Sequence, residues 1–370
     1  MQWPDNEAYC FQFMKVLGVA QEGGSTISEC FLTANRIVPG NDGSWYRAWK
    51  SIANVNQERA RTALAHGHIV TAQSNWLRAS NYYRTAEIFL GLDDARRAPL
   101  LAQMQACSDL YLKYLEPGGE TVQIPDAAGN VLEGYFLAAP GAEGPSPVVI
   151  CVGGPDHFKE EHLYRMPRHA HARGLSLLLV DLPGQGALPR RSGVGGKYCI
   201  ENSISDWVDF LTARADVDDR KIAVFGEGLG ASFASRAASI DNRFAAAVCD
   251  GGIWDLHERA FLIHQNAGRG GRDSIKDQIY KLRHHGIAKR ITCPILVPVG
   301  EHDLLDANHV VDMCSSLKEA GRDISLKVFS ATETAASPAQ IDNPTMANEF
   351  IFDWIAARLL KSTPLKACIC

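Results

Sequence analysis

Residues 221–235 have the sequence Lys-Ile-Ala-Val-Phe-Gly-Glu-Gly-Leu-Gly-Ala-Ser-Phe-Ala-Ser. An apolar run is followed by a turn in which every second residue is glycine, and then by the small side chains of a closely packed helix. Strand, tight turn and helix in this order match a nucleophile elbow, G-x-S-x-G, whose turn projects one side chain at the helix N-terminus. The central position here is Gly228, which has no side chain. A coincidental glycine-rich turn is the alternative for this stretch taken alone.

Other apolar runs predict buried strands on both sides of this turn. They cover residues 147–152, 175–180, 244–249, 294–299 and 324–329. Two shorter alternating stretches, 120–124 and 132–137, predict a hairpin before them. Buried runs that alternate with helical segments are typical of a doubly wound, mostly parallel α/β sheet. In such sheets ligands bind beyond the carboxyl ends of the strands, so catalytic candidates are expected there.

The chain divides into a helical part and a sheet part. Residues 1–118 predict a helical, cap-like N-terminal region that ends at a proline and two glycines. Residues 119–362 predict the α/β core, with a helical insertion possible at about 253–290, and residues 363–370 predict a tail.

Composition excludes several classes of protein. The 370 residues carry a net charge of −5 and are 46% apolar, which is typical of a globular protein and argues against a nucleic-acid partner. The ten cysteines show no zinc-ligand spacing, so we expect Cys151, Cys249 and Cys293 to be reduced core residues in a cytoplasmic protein. We find no secretory signal and no apolar run long enough to span a membrane. No metal and no cofactor are expected.

Further motifs follow the other predicted strands. Gly153-Gly154 follows one strand, and such a pair often lets the next backbone N–H groups form an oxyanion site, here near Pro155 and Leu229. Asp303 follows a later strand, where the acid of a Ser/Asp/His set normally lies.

These motifs resemble those of α/β-hydrolase-fold proteins. More narrowly, the chain resembles the group that contains 2,6-dihydroxypseudooxynicotine hydrolase and the fungal hydrolases that shorten polyketides in pigment biosynthesis. The segments that carry the resemblance are 78–86, 153–161, 181–186, 251–252 and 300–303. The resemblance implies an α/β-hydrolase fold, a hydrolytic triad, carbon–carbon bond hydrolysis among the known reactions, and a homodimer.

The chain departs from this family pattern at two of the three triad positions. Gly228 stands at the position of the serine, and the alignment places Pro338 at the position of the histidine, whereas Asp303 remains. Serine hydrolysis needs a nucleophile with a base within reach. We therefore expect no acyl-enzyme route.

Polar residues near the elbow are candidates for acid–base catalysis. They are Glu227 beside the missing nucleophile, the remaining acid Asp303, and His157 after the glycine pair. For each of them a purely structural role is the alternative. The histidine pairs 169/171 and 284/285 lack a third ligand at suitable spacing, so we interpret them as surface residues.

A second set of residues is predicted to contact the substrate. Arg78 and Tyr82 share one face of a helix that borders the pocket in the family. Asp156, Trp254 and His302 follow strand ends that face the expected cleft. Helix packing and loop hydrogen bonds are the structural alternatives for these residues.

Three functions are compatible with this pattern. The leading one is a non-hydrolytic enzyme of fungal-type secondary metabolism that acts on a polyketide-like small molecule. It would catalyse cyclisation, pericyclic closure, isomerisation, dehydration or a retro-aldol step by positioning and proton transfer. The second is an ester or carbon–carbon hydrolase whose serine was removed by engineering. The third is a non-catalytic ligand-binding protein.

Overall fold

The computed structural model describes residue 3 and residues 5–91, 93–126, 129, 131–154, 156–186, 200–253, 288–303 and 307–360. Its strands pair in the order β1-β2-β4-β3-β5-β6-β7-β8. The hairpin and every strand predicted from the apolar runs are present. The strands in the described residues are β1 (Glu120–Pro125), β2 (Val131–Leu137), β3 (Ser146–Val152), β4 (Ser176–Val180), β5 (Val217–Glu227), β6 (Phe244–Asp250), β7 (Ile295–Gly300) and β8 (Ile324–Phe329).

Most neighbouring strands of the sheet are parallel, and the two antiparallel pairs lie at one edge. The β1–β2 and β2–β4 pairs are antiparallel. The six strands β4, β3, β5, β6, β7 and β8 run parallel to one another. Strands β3 and β4 are buried along their whole length, which is why their sequences are continuously apolar. The carboxyl ends of β3, β5, β6 and β7 consequently meet at one edge of the sheet.

Helices precede the sheet and then cover it. Asparagine or threonine side chains cap the first three helices and satisfy N–H groups of their first turns. The N-terminal helices are α1 (Glu7–Gly18), α2 (Ile27–Ala34), α3 (Asp42–Ala65), α4 (Ile69–Glu87) and α5 (Arg97–Lys113). The helices that follow within the described residues are α6 (Lys159–Leu163), α7 (Pro167–His171), α8 (Ile200–Thr212), α9 (Gly230–Ile240), α10 (Ala307–Glu319) and α11 (Pro344–Leu359).

The N-terminal helices have an apolar core of their own. It is rich in aromatic side chains, including Trp45 and Trp49, which are fully buried. Val19, Leu77 and Leu112 belong instead to the apolar cluster on one face of the sheet, so they join the helical region to it. The prediction of an α/β fold with a helical N-terminal region is confirmed, and the exact boundary near residue 118 stays a prediction.

Two predicted segments fall largely or wholly outside the described residues. The possible insertion at about 253–290 overlaps residues 254–287, and the tail at 363–370 lies beyond residue 360. Cys151, Cys249 and Cys293 are buried and form no disulfide, as predicted. No helix in the described residues is long and apolar enough to cross a membrane.

Candidate active site

The turn between β5 and α9 has the geometry of an elbow. A Cβ on Gly226 would lie 2.1 Å from the Gly230 carbonyl oxygen, and one on Gly230 would lie 2.5 Å from the Val152 carbonyl oxygen. Both positions therefore require glycine, because backbone atoms block a side chain. Gly228 has a φ of +56°, yet a Cβ added to it meets no atom of the described residues within 4 Å. The apex keeps the left-handed backbone of an elbow and the space for a side chain, without the side chain.

The glycine pair after β3 is held from behind by Gln185. The Gln185 Nε2 group donates to the carbonyl oxygens of Gly153 (2.9 Å) and Gly154 (2.7 Å), and its Oε1 accepts from the Leu182 N–H. In a planar trans peptide the N–H points opposite to the preceding C=O, so the Gly154 N–H points away from Gln185. A Cβ on Gly154 would lie 3.7 Å from the nitrogen of Leu229.

The oxyanion-type donors expected near Pro155 and Leu229 can now be assigned more closely. Proline has no N–H to donate, and Pro155 lies outside the described residues. The Gly154 N–H, which points away from Gln185, is therefore a candidate donor from this loop beside that of Leu229, and the oxyanion role of both groups stays a prediction. Gly154 belongs to the glycine pair of the sequence motif. It differs from the predicted Pro155 because it has a backbone N–H and proline has none.

Glu227 is a buried carboxylate that pairs with an arginine. It is 2% exposed, and its Oε1 accepts a hydrogen bond of 2.6 Å from Arg165, which lies between α6 and α7. Burial alone would raise the pKa of Glu227, but Arg165 and the histidines at 157 and 162 lower it to about 2. A carboxylate with so low a pKa accepts protons poorly, so its predicted role as acid or base stays a prediction, and its geometry suits an electrostatic role.

His157 lies between the glycine pair and Glu227. Its Nε2 is 3.7 Å from Glu161 Oε2 and 3.9 Å from Glu227 Oε2, and its ring stacks on His162 with centroids 5.2 Å apart. Burial lowers the pKa of His157, and it lowers that of His162 to about 3. Both imidazoles are therefore neutral near pH 7, and the His157 side chain is 12% exposed.

Asp250 is a site residue that sequence reasoning missed. It ends β6 directly beside Glu227 in the parallel register, and its carbonyl oxygen accepts from the Gly228 N–H at 3.0 Å. Burial and the negative charges of Glu227 and Asp303 hold the pKa of Asp250 well above its usual range. Its carboxyl group therefore holds a proton more readily than an ordinary aspartate does, which makes it a candidate proton donor. Its position just before Gly251-Gly252 at a strand end was the available signal.

The loop that carries Pro338 lies against the end of β7. A Cβ on Gly300 would lie 2.3 Å from the Ala336 carbonyl oxygen, and the His302 N–H donates to that same oxygen at 2.8 Å. A histidine in this loop would consequently be close to Asp303, which is half-buried. Residues 330–343 contain no histidine.

The structure places two predicted substrate contacts inside the helical region. Arg78 Nε donates to Asn56 Oδ1 at 3.0 Å, and the Tyr82 hydroxyl donates to Glu29 Oε2 at 2.9 Å. Tyr82 is completely buried there. These partners belong to α2 and α3, so both side chains take part in packing between helices, and their predicted substrate contact stays a prediction.

The same helix reaches the site through Arg84, which sequence reasoning did not select. Arg84 donates to Glu161 Oε1 at 2.7 Å and to the carbonyl oxygen of Asp156 at 2.8 Å. Arg84 thus holds the loop that carries His157. The side chains of Asp156 and His302 are exposed, so their substrate contacts stay predictions. Trp254 lies outside the described residues.

Sheet order, elbow and flanking loops together define the α/β-hydrolase fold. The chain belongs to the FrsA-like esterase family, whose model matches residues 31–261. This agrees with the family resemblance inferred from the motifs.

Similar proteins come from fungi and are named as hydrolases. The chain is 32% identical over 262 residues to hydrolyase poxO of Penicillium oxalicum and 33% identical over 267 residues to 20-hydroxy-prefusarin hydrolase FUS2 of Gibberella moniliformis. Each alignment covers 68% of this chain and 62% of the relative, so the chain spans less than two thirds of their length. A crystal structure of 2,6-dihydroxy-pseudo-oxynicotine hydrolase matches 93% of this chain and 96% of its own, with a TM-score of 0.72 and 22% identity. That likeness supports the fold.

Proposed function

We propose that this protein is an enzyme of fungal-type secondary metabolism that transforms a small, polyketide-like molecule without forming an acyl-enzyme. The observation that carries the proposal is Gly228, because the elbow keeps its backbone and its space while the nucleophile is missing. The absence of a histidine from residues 330–343 points the same way. The fungal relatives support the biosynthetic setting.

The groups that remain are suited to proton transfer on a carbonyl compound. The N–H groups of Gly154 and Leu229 can polarise a carbonyl or stabilise an enolate. His157 and Asp250 lie beside Glu227, which precedes the apex, and together with Asp303 they supply candidate bases and acids. Positioning and proton transfer together serve cyclisation, isomerisation, dehydration or a retro-aldol step, and a pericyclic closure needs positioning alone.

Hydrolysis without a serine is the second candidate, and the names of the relatives favour it. Water would then attack the substrate directly, with His157 as the base. A binding protein without catalysis is the third candidate. A small-molecule ligand is common to all three, and the homodimer remains a prediction.

The test compares the mass of the substrate with that of the product. Deleting the gene should make the substrate accumulate, and purified protein should then convert that compound in water labelled with heavy oxygen. A product of equal mass, a product that has lost water, or fragments whose masses sum to the substrate would support the proposal. A product that has gained labelled water would overturn it in favour of hydrolysis. Tight binding with no conversion would overturn it in favour of a binding protein.

Variants of the proton-transfer groups test the assignment of the site. His157→Gln, Asp250→Asn and Asp303→Asn should each lower the rate of conversion, by about a hundredfold for a group that moves a proton. Circular dichroism should show an unchanged fold. Full activity in all three variants would remove this assignment. Gly228→Ser should gain no esterase activity, because residues 330–343 supply no histidine to take the proton from the new serine, whereas an engineered loss of serine predicts that this change restores hydrolysis.

A further inference from the structure

Three buried donor atoms converge beside the elbow. His157, His162 and Glu227 each offer one such atom, and the three atoms lie within 4.8 Å of one another. Among them, Nε2 of His157 is 3.9 Å from Oε2 of Glu227. All three residues have such atoms with no hydrogen-bond partner among the described residues, and both nitrogens of His162 are in this state. A buried polar atom without a partner destabilises the folded state. Several such atoms lie together in this cluster. Their grouping indicates one shared partner bound between the three side chains.

The fold holds these side chains from separate elements. His157 belongs to the loop after β3, His162 to α6 and Glu227 to the end of β5. Arg165 binds Oε1 of Glu227 at 2.6 Å, which orients the carboxylate and leaves Oε2 facing the histidines. Arg84 binds Glu161 and the Asp156 carbonyl oxygen, so the loop and α6 are both held in place. Ligands oriented by such outer partners are a general feature of metal sites.

We propose that His157, His162 and Glu227 bind a divalent transition-metal ion of the Zn²⁺ or Co²⁺ type. Two imidazoles and one carboxylate suit these ions, whereas Mg²⁺ and Ca²⁺ prefer oxygen ligands. In a tetrahedral site with bonds of about 2.0–2.1 Å the donor atoms are about 3.4 Å apart. The separation of 3.9 Å between His157 Nε2 and Glu227 Oε2 therefore needs to shorten by about 0.5 Å, and no pair of ligand atoms in the cluster is more than 4.8 Å apart.

The surrounding charges set an upper limit on the affinity. Arg165 and Lys15 add positive charge near the ion, and Glu161 offsets only part of it. We therefore expect micromolar binding of Zn²⁺, weaker than in closed structural sites. The exposed edge of the His157 side chain gives the ion a route from the cleft.

This inference does not depend on the proposed function, because it concerns binding of an ion to the protein alone. Glu227 immediately precedes Gly228, so a bound ion would lie next to the place where the serine is missing. His157 would then be committed to the ion, and Asp250 and Asp303 would remain available to move protons.

The experiment measures binding of Zn²⁺ without any substrate. The purified full chain is stripped with a chelator, dialysed against Zn²⁺ and analysed by elemental mass spectrometry, and Co²⁺ is titrated while its visible absorption is recorded. We expect about one ion per chain and a Co²⁺ spectrum of low coordination number. His162→Phe keeps the ring stacking and should weaken binding by about tenfold or more, as should His157→Gln and Glu227→Gln.

His171→Ala provides the matched control, because this histidine lies on α7 outside the cluster and should not change binding. Circular dichroism checks each variant, and His162→Phe keeps the test decisive if Glu227→Gln fails to fold. Failure of the native chain to bind Zn²⁺ or Co²⁺ would overturn the proposal and leave buried water as the shared partner. Binding that is unchanged in both histidine variants would overturn it as well. Either result leaves the proposed function intact.

Discussion

Glycines 226, 228 and 230 stand in one turn but meet different physical demands. At 226 and 230 a side chain would collide with backbone atoms, whereas at 228 only the positive φ favours glycine. Local packing thus does not require a glycine at position 228. A family member with a serine at this position would fit the same backbone.

Substitution by alanine should separate these demands. Gly226→Ala should lower the free energy of unfolding by about 3 kcal/mol or more, because its Cβ meets the Gly230 carbonyl oxygen. Gly228→Ala should cost only about 1–2 kcal/mol, the penalty of a left-handed backbone. Unfolding in guanidinium chloride measures both values. Gly40→Ala, at a φ of +77° with no neighbour within 4 Å, is the control for the φ penalty. Equal losses in the free energy of unfolding for Gly226→Ala and Gly228→Ala would contradict the different demands assigned to these two glycines.

At the scale of elements, the loop after β3 and the loop after β4 form one unit. Gln185 is 7% exposed and holds both carbonyl oxygens of the glycine pair, while its own oxygen is bonded to Leu182. The Gln185 amide therefore uses both its nitrogen and its oxygen to hold the two loops together. This also fixes the direction of the Gly154 backbone N–H.

Replacing Gln185 should loosen this unit. Gln185→Glu exchanges the donor for oxygens that repel two carbonyl groups, and we expect a loss of stability of about 1–3 kcal/mol. Hydrogen exchange at residues 153–158 should become faster. Gln123→Glu is the control. Gln123 donates to Glu133 on the exposed hairpin, and losing this hydrogen bond should change the free energy of unfolding little. Unchanged exchange in the Gln185 variant would show that the loop is held by other contacts.

Much at this scale was predictable from the sequence. The hairpin and the buried strands were expected within a few residues, because apolar periodicity is local information. The rotation of α4 about its axis could not be predicted. Spacing alone places Arg78 and Tyr82 on one face of the helix without saying which face meets the sheet. Packing turned that face toward Glu29 and Asn56 and left Arg84 to meet the site.

At the scale of the whole molecule, Glu22 joins distant parts of the chain. Its Oε1 accepts from Thr345 on α11 at 2.6 Å and lies 3.0 Å from His169 Nε2 on α7, and Arg168 pairs with the other oxygen. Burial would raise the pKa of Glu22, but the hydrogen bonds from His169 and Thr345 outweigh it and hold the pKa below its ordinary value of 4.5.

This contact predicts a dependence of stability on pH. Because the folded pKa of Glu22 lies below the unfolded one, its contribution is complete above about pH 4.5 and is lost as the pH falls through the folded value. Glu22→Gln should therefore destabilise the protein near neutral pH, and its difference from the native chain should shrink in acid. Guanidinium unfolding at several pH values measures this. Glu58→Gln, at an exposed pair with Arg61, is the control, and a difference that stays constant with pH would refute the prediction.

Apolar periodicity and glycine spacing act within a few neighbouring residues, so they were enough to predict the sheet, the elbow and the glycine at its apex. The tertiary structure alone decided which polar groups meet. Parallel register brought Asp250 beside Glu227, and the path of the loop after β3 brought His157 and His162 toward the same carboxylate. These residues are far apart in the chain, and their protonation depends on burial and on neighbouring charges that no local pattern encodes.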